Sequence, residues 1–163
     1  MKTIPLTQGK IVLVDDEDYE YLNQRKWYAS KRGNTWYAIR IVCIPKQRTI
    51  RMHRVILNAP NGMQVDHINS NGLDNRKSNL RLCTHAENQR HQQLSCRNST
   101  GFKGVSFDKR NPQKTYYACI NLNNKQIYIG CYHTAEEAAQ AYDKAALKYH
   151  KKFALTNKML KLL

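Results

Sequence analysis

The chain has 163 residues, 41% hydrophobic and 24% charged, and its 27 Lys and Arg against 12 Asp and Glu leave a formal net charge of +15. This composition is typical of one globular domain or two small ones and excludes a disordered chain, while the charge favours a nucleic acid as partner. No apolar run approaches the ~18 residues of a membrane-spanning helix, and the N-terminus lacks the pattern of a secretion signal. Five cysteines without a C-x-x-C pair indicate reduced thiols, so we expect an intracellular protein with no membrane partner.

The positive charge is unevenly distributed along the chain. Residues 1–58 contain eleven basic and five acidic residues (net +6), and residues 96–163 contain twelve and four (net +8). Between them, residues 59–95 contain four and three (net +1). This pattern suggests a reactive segment between two segments that bind a polyanionic backbone.

The first 58 residues predict a β-rich segment. The acidic cluster at residues 15–18 suits a helix N-terminus, and we interpret it as a solvated helix start rather than a metal site. The predicted elements are a strand at 11–14, a hairpin formed by 27–29 and 35–39, a strand at 49–52 and a short helix at 53–57.

The centre and the last segment each contain a capping box that predicts a helix. Thr84 and Glu87 predict a helix from about His85 to about Leu94, and Thr134 and Glu137 predict one that ends near Lys148. The polar residues 95–100 between them are the predicted linker. Three short strands are predicted at 105–107, 116–122 and 126–130. A stripe at helical spacing in the last helix is explained by packing and comprises Ala138, Tyr142, Ala145 and Tyr149.

Four polar residues in the centre form the strongest candidate for a chemical site. Asp66 offers a hard oxygen ligand, and the neighbouring His67 titrates near neutral pH. Asn79 follows twelve residues after His67, and Asn88 lies on the capped helix. A strand, a loop and a helix could thus bring oxygen ligands and an imidazole to one point.

These residues stand in motifs that resemble the HNH nuclease motif of the ββα-metal superfamily. The motifs are D-H-I-N, L-D-N-R-x-S-N-L-R and T-x-x-E-N, and they are most similar to those of phage and intron homing endonucleases. The resemblance implies that His67 is the general base, that Asp66 and Asn88 hold one Mg²⁺, and that Asn79 fixes the loop that aims His67. His91 is the alternative to Asn88 as ligand. Oxygen ligands favour Mg²⁺, with Mn²⁺ as a substitute, and no zinc is expected.

The C-terminal segment has a resemblance of its own, over about residues 99–157. Four motifs resemble the plant ethylene-response-factor (AP-two) DNA-binding domain. They are S-T-G-F-K-G-V, Y-Y-A-C-I, the run from I-Y-I-G-C-Y-H-T to A-Y-D-K-A-A, and F-A-L-T-N. The resemblance implies a three-stranded antiparallel sheet that enters the major groove, backed by a helix. Strand alternation places Tyr117, Cys119 and Asn121 on the predicted DNA face and the side chains between them against the helix.

DNA contacts are expected from both segments. In the first 58 residues, His53 has a structural or phosphate-contacting role as readily as a catalytic one. The expected contacts are His53, Arg54, Arg76, Arg81, Lys103, Lys109, Arg110, Lys114, Tyr117, Asn121, Lys125 and Tyr128.

Together these observations predict an α+β protein with two functional parts. Residues 1–94 form the nuclease domain, in which a β-rich part (1–58) leads into a ββα-metal core (59–94). After the linker (95–100), residues 101–163 form a small domain of three antiparallel strands on one helix. The expected function is a site-preferring, Mg²⁺-dependent DNA endonuclease, a homing enzyme that leaves 5′-phosphate and 3′-hydroxyl ends.

Two alternatives to this function stay open, a non-catalytic sequence-specific DNA-binding protein and an RNA-binding protein. The expected partner is double-stranded DNA, and no obligate protein partner is evident. We expect a monomer or weak dimer in the cytoplasm or nucleoid of a bacterium, with a phage as a further source.

Overall fold

The structure is a computed structural model that describes residues 1–43, 45–95, 97–108, 115–123 and 125–163. The chain folds as two compact units, Met1–His85 and Ala86–Leu163. Small antiparallel sheets and helices make up both units, which confirms the predicted α+β class. The predicted linker at 95–100 and the domain bounds on either side of it stay predictions. No helix in the described ranges has the length and apolar character that crossing a bilayer requires.

The first unit contains three small sheets. Its strands pair in the orders β1-β2, β3-β4-β5 and β6-β7, and every pair is antiparallel. The elements are β1 (Lys2–Pro5), β2 (Ile11–Val14), α1 (Asp16–Asn23), β3 (Tyr28–Arg32), β4 (Thr35–Val42), β5 (Arg48–Arg51), α2 (Met52–Ile56), β6 (Gln64–His67) and β7 (Leu80–Cys83). The predicted β3-β4 hairpin and the acidic start of α1 are confirmed. Strand β1 was not predicted. Ile4 is its one buried side chain, so the strand has no alternation of apolar and polar residues that would reveal it.

The core of the first unit joins its N-terminal hairpin to both helices. Val12 and Val14 of β2, Leu22 of α1 and Met52 of α2 are almost fully buried in one apolar cluster. Trp27 closes this cluster, and its indole Nε1 donates to the Leu22 carbonyl at 2.9 Å. The elements on which β6 and β7 depend are therefore fixed by burial of apolar surface.

The second unit is a three-stranded sheet packed on one long helix, as predicted. Its strands follow the order β10-β9-β8. The elements are α3 (His85–Arg90), which begins at the last residue of the first unit, β8 (Val105–Phe107), β9 (Tyr116–Leu122), β10 (Lys125–Tyr132) and α4 (Ala135–His150). The second capping box is confirmed, since Thr134 Oγ1 accepts from the Glu137 amide and the Glu137 carboxylate accepts from the Thr134 amide.

The predicted stripe on α4 forms the core of the second unit. Ala138, Tyr142 and Ala145 are buried against the sheet, and Tyr149 is partly buried beside them. Gly104 makes this packing possible, because its φ is +74° and a Cβ there would lie 1.9 Å from the Tyr142 ring. Any other residue at this position would need both a strained backbone and a displaced tyrosine.

Helix α3 ends earlier than the capping box predicted. It stops at Arg90 rather than near Leu94, and the next amides make shorter bonds, from His91 to the Asn88 carbonyl and from Gln92 to the Gln89 carbonyl. Lys103 Nζ donates to the carbonyls of Arg90 and Gln92. A side chain from outside the helix therefore takes the carbonyls that another helical turn would have used.

Four of the five cysteines lie in the described part of the chain, and no disulfide joins any of these four. They are Cys43, Cys83, Cys119 and Cys131. The fifth, Cys96, lies outside the described residues.

Candidate active site

The β6-β7 hairpin places three of the four predicted site residues in the first unit. His67 is the last residue of β6 and pairs with Leu80, and Asp66 pairs with Arg81 across the same hairpin. The intervening loop ends in a 3-10 turn, Lys77–Asn79, so that Asn79 returns to the base of the loop. The amide of Ile68 donates to the Asn79 carbonyl at 2.9 Å, which closes the loop directly after His67.

Asp66 is held by an arginine from the neighbouring strand. Arg81 Nε donates to Asp66 Oδ2 at 2.8 Å, and Arg81 Nη2 lies 2.6 Å from the same oxygen. The side chain of Asp66 is 8% exposed and that of Arg81 is 16% exposed, so the pair is largely shielded from water. Arg81, which we predicted as a DNA contact, therefore binds inside the protein and orients the carboxylate.

The Asn79 side chain is at the centre of the loop's hydrogen bonds. Its Oδ1 accepts from the Asn69 amide at 2.9 Å, and its Nδ2 donates to Asn69 Oδ1 at 2.9 Å and to the Asp74 carbonyl at 2.8 Å. These bonds fix both ends of the loop. They provide a physical route by which Asn79 could hold the backbone that follows His67.

Asp74 adds a second anchor within the loop. Its carboxylate accepts from Arg76 Nε and Nη2, both at 2.7 Å, and from Asn69 Nδ2 at 2.8 Å. The Arg76 hydrogen bonds hold the pKa of the Asp74 carboxyl below its usual value. Arg76, also predicted as a DNA contact, is thus engaged by its own loop.

The N-terminal hairpin fixes the loop from outside. The Leu13 amide donates to the Leu73 carbonyl at 2.8 Å, and the Asn75 amide donates to the Leu13 carbonyl at 2.9 Å. Gly72 allows a further close approach, since a Cβ there would lie 2.4 Å from the Trp36 carbonyl oxygen. The loop is therefore braced by β2 and β4, a long-range arrangement that no local sequence signal indicates.

The acidic cluster also contacts this loop. Asp15 Oδ2 accepts from the Lys77 amide at 2.7 Å, and the Lys77 ammonium lies 2.7 Å from Glu17 and 3.3 Å from Asp18. Our interpretation of these carboxylates as a solvated helix start was therefore incomplete. They begin helix α1, as predicted, and they also hold the 3-10 turn that carries Asn79.

The His67 ring is enclosed on several sides. Its Nε2 lies 2.8 Å from Asn75 Oδ1, and the ring stands at 90° to that of His53 with the centroids 5.1 Å apart. The centroid of the Tyr37 ring lies 5.9 Å from that of the His67 ring. His67 is 6% exposed, and this burial lowers the pKa of its imidazole. Sequence reasoning missed Asn75, because spacing alone does not distinguish it from the other asparagines of the loop.

His53 and Arg54 are both directed into the protein. Burial lowers the pKa of His53 to about 3, so this imidazole is neutral at physiological pH. The Arg54 guanidinium donates to the carbonyls of Met63 at 2.6 Å, Ala59 at 3.0 Å and Pro60 at 3.0 Å. We predicted Arg54, Arg76 and Arg81 as DNA contacts. In the structure, all three guanidinium groups bind other groups of the first unit.

Asn88 and His91 belong to the second unit. Asn88 is half-buried on α3, and His91 is buried directly after the helix. Their assignment as metal ligand and alternative ligand stays a prediction.

The outer face of the second unit's sheet carries most of the other predicted DNA contacts. Ala118 and Ile120 are buried, Tyr117 and Cys119 are half-buried, and Asn121 is exposed, which confirms the predicted alternation. Lys125 and Tyr128 at the start of β10 are exposed. Lys103 is different, since its ammonium donates to the end of α3 and burial lowers its pKa to about 8. Lys109, Arg110 and Lys114 lie outside the described residues.

Comparison with known proteins identifies the segment that contains this loop. Residues 52–90 match the HNH endonuclease family model. A protein of Acanthamoeba polyphaga mimivirus described as an uncharacterized HNH endonuclease is 29% identical over 154 residues, which cover 93% of this chain and 77% of the viral protein. Residues 52–90 are thus similar to HNH endonucleases, and most of the chain is similar to a viral protein of that description.

Plant proteins match a shorter part of the chain. An APETALA2-like protein of Oryza sativa is 38% identical over 61 residues, 37% of this chain and 14% of the rice protein. An ethylene-responsive transcription factor of Arabidopsis thaliana is 56% identical over 36 residues, 22% of this chain and 8% of that protein. These partial matches give the AP-two resemblance limited support.

The segment that is similar to HNH endonucleases contains a donor that suits a hard divalent cation. Asp66 presents a buried carboxylate whose orientation Arg81 fixes, and Mg²⁺ is commonly held by one or two carboxylates together with water and substrate phosphates. Within the described residues, no three His, Cys, Asp or Glu side chains gather into a group that could hold a metal by themselves. The Asp66 carboxylate is therefore a donor that fits a hard divalent cation.

Proposed function

We propose that the protein is a Mg²⁺-dependent DNA endonuclease in which His67 is the general base. The observation that supports this proposal is the enclosed His67 ring at the end of β6, bonded at one nitrogen to Asn75 and followed by a loop that Asn79 closes. A general base needs a fixed direction and a neutral ring; the bond to Asn75 supports the first, and burial, which lowers the pKa of His67, favours the second. The HNH match and the viral relative support the same activity.

Each proposed role follows from the chemistry of one side chain. His67 Nδ1 makes no hydrogen bond to any residue that the structure describes, so this nitrogen would take the proton from the attacking water. Asp66 would hold Mg²⁺, with Arg81 orienting its carboxylate, and Asn88 is the proposed second ligand, with His91 as the alternative. Bound Mg²⁺ would stabilise the negative charge that develops on the phosphate and the leaving oxygen. Mn²⁺ would substitute for it, and the products would carry 5′-phosphate and 3′-hydroxyl ends.

Double-stranded DNA is the proposed partner. The second unit would supply site preference through Tyr117, Asn121 and Tyr128 on the outer face of its sheet, and phosphate contacts through Lys125. The similarity to plant transcription factors over this part of the chain supports a nucleic-acid surface here. A homing role would require that this surface selects a limited set of sites.

Replacing His67 by Ala tests the proposal directly. The wild-type protein should cut supercoiled duplex DNA with Mg²⁺ and stop on addition of EDTA. Because general-base catalysis contributes roughly 10²–10⁴-fold, His67→Ala should lower the cleavage rate by that factor. DNA binding, measured by fluorescence anisotropy, should be unchanged. His133→Ala is the matched control, since His133 is exposed in the second unit and has no proposed role.

Two results would overturn the assignment. Full cleavage by His67→Ala would show that another group is the base. DNA binding without cleavage by the wild-type protein, over a range of divalent metals and DNA sites, would instead favour a binding-only protein. The partial match to plant transcription factors favours that function as the second candidate.

A further inference from the structure

We propose that Asn75 is the positioning residue of the active site. It sets the tautomer and direction of the His67 ring, so that Nε2 carries the hydrogen and Nδ1 is the basic nitrogen. The inference rests on the proposed nuclease function and assigns a role that the HNH match does not specify.

Asn75 is held in place both by burial and by backbone hydrogen bonds. Its side chain is completely buried, and its backbone amide donates to the Leu13 carbonyl at 2.9 Å. The flanking residues Asp74 and Leu73 are also bonded, Asp74 to Arg76 and Leu73 to the Leu13 amide. The amide group therefore meets the His67 ring from a fixed backbone, which is what holding a ring in one direction requires.

The chemistry of a neutral imidazole then determines the tautomer. Such a ring has one N–H donor and one acceptor nitrogen. Asn75 Oδ1, 2.8 Å from His67 Nε2, is an acceptor, so the hydrogen resides on Nε2 and the lone pair on Nδ1. The rings of His53 and Tyr37 pack beside the imidazole, with centroids 5.1 Å and 5.9 Å from its own, and limit the room in which the ring could turn to exchange its two nitrogens.

An unsatisfied donor supports a functional rather than a stabilising role for Asn75. Its Nδ2 is buried and has no hydrogen-bond partner among the described residues. A buried amide with an unpaired N–H₂ costs folding free energy. The contact that Asn75 does make is to the proposed base. A neutral amide also accepts from Nε2 without adding the charge that an aspartate would bring.

This role differs from that of Asn79. All the side-chain bonds of Asn79 described above go to Asn69 and the Asp74 backbone, and none goes to the imidazole. Asn79 thus acts on the loop backbone and Asn75 acts on the ring. The two asparagines can be distinguished by a measurement that reports on the ring alone.

The test is the tautomer of His67 in the metal-free protein, read from two-bond ¹⁵N–¹H correlations at neutral pH. The wild-type protein should show the Nε2–H form. Asn75→Leu removes the acceptor and should give a mixture or the Nδ1–H form, whereas Asn75→Asp retains an acceptor and should keep the Nε2–H form. Asn79→Leu is the matched control, a second buried asparagine of the same loop, and should keep the Nε2–H form.

The kinetic prediction separates positioning from folding. Asn75→Leu should lower kcat by about 10–100-fold, as loss of a residue that orients a reactive group commonly does, with KM for DNA unchanged. Asn75→Asp should recover at least a third of the wild-type kcat. If Asn75→Leu does not fold, the wild-type spectrum and Asn75→Asp still decide the question.

Three results would overturn the proposal. They are an Nδ1–H form in the wild-type protein, an unchanged tautomer in folded Asn75→Leu, and an equal change in Asn79→Leu. Because the spectra need neither metal nor DNA, they stand even if the protein proves to have no nuclease activity. Failure of the positioning role and failure of the proposed function are therefore distinguishable.

Discussion

The two units differ in the direction of their predicted DNA-contacting side chains. The three such arginines of the first unit bind other groups of that unit, and the side chains on the sheet of the second unit point outward. In the first unit, Arg54 donates to three backbone carbonyls, and Arg76 and Arg81 pair with Asp74 and Asp66. On the sheet of the second unit, Asn121, Lys125 and Tyr128 point into solvent. These three arginines of the first unit build a fixed geometry, whereas these three side chains of the second unit present a surface.

Salt dependence of DNA binding is the broadest way to test this difference. All the predicted contacts together would neutralise about eight phosphates, but Arg54, Arg76, Arg81 and Lys103 are bonded within the protein, which leaves about four. The slope of log K against log[salt] should then be near −3.6 rather than about −7. Binding measured by anisotropy should weaken by roughly 10²-fold between ~50 and ~200 mM salt.

Two variants sharpen the salt test. Lys125→Ala should make the slope shallower by about 0.9, because one phosphate contact is lost, whereas Arg54→Gln should leave it unchanged. The reverse result would show that the first unit contacts the backbone and would remove the contrast between the units.

Arg81 provides the next largest effect. Arg81→Ala removes the group that orients the Asp66 carboxylate, so Mg²⁺ affinity should fall about 10–100-fold. DNA affinity without metal should be unchanged. Metal titration of cleavage measures the first quantity and anisotropy the second, with Arg97→Ala, an exposed arginine, as control. If Arg81→Ala binds DNA more weakly and its metal dependence is unchanged, Arg81 is a DNA contact and does not orient the metal ligand.

His53 gives the smallest effect, on stability rather than activity. Its folded pKa of about 3 lies below the ordinary 6.5, so between these pH values the unfolded chain binds a proton that the folded protein does not. The stability contributed by neutral His53 is therefore complete above pH 6.5 and is lost as the pH falls toward 3. His67, Tyr37, Arg51 and Arg54 are the titratable or charged groups around it.

Urea unfolding over this pH range measures the effect. His53→Phe should reduce the slope of unfolding free energy against pH by up to about 1.4 kcal/mol per pH unit. His133→Phe in the second unit is the control and should leave the slope unchanged, because His133 is exposed. Equal slopes in the wild-type protein and His53→Phe would show that His53 is not buried in its neutral form.

The sequence allowed prediction of elements that depend on neighbouring residues. The β3-β4 hairpin, the Thr134 capping box and the alternation along β9 each follow from a local pattern, and each is confirmed. The resemblance to the HNH motif also predicted that His67 and Asn79 are associated with the same loop. These features were accessible because turn chemistry, capping and side-chain period act over a few residues.

Features that depend on long-range contacts were not predictable in the same way. Asp15 and Lys77 are far apart in sequence, and nothing near either residue indicates that they meet. The direction of Arg81 depends on the register of β6 against β7, which places Asp66 opposite it. The choice of Asn75 as partner of His67 likewise depends on how β2 holds the loop.

The backbone bonds of Leu13 have a practical consequence for protein engineering. They reach the loop at Leu73 and Asn75, yet Leu13 lies well outside the residues 52–90 that carry the family match. A chimera that transplants the matched residues alone would lose both bonds, and the loop would be free to rearrange around His67. A graft intended to keep the arrangement of this loop therefore has to include the N-terminal hairpin.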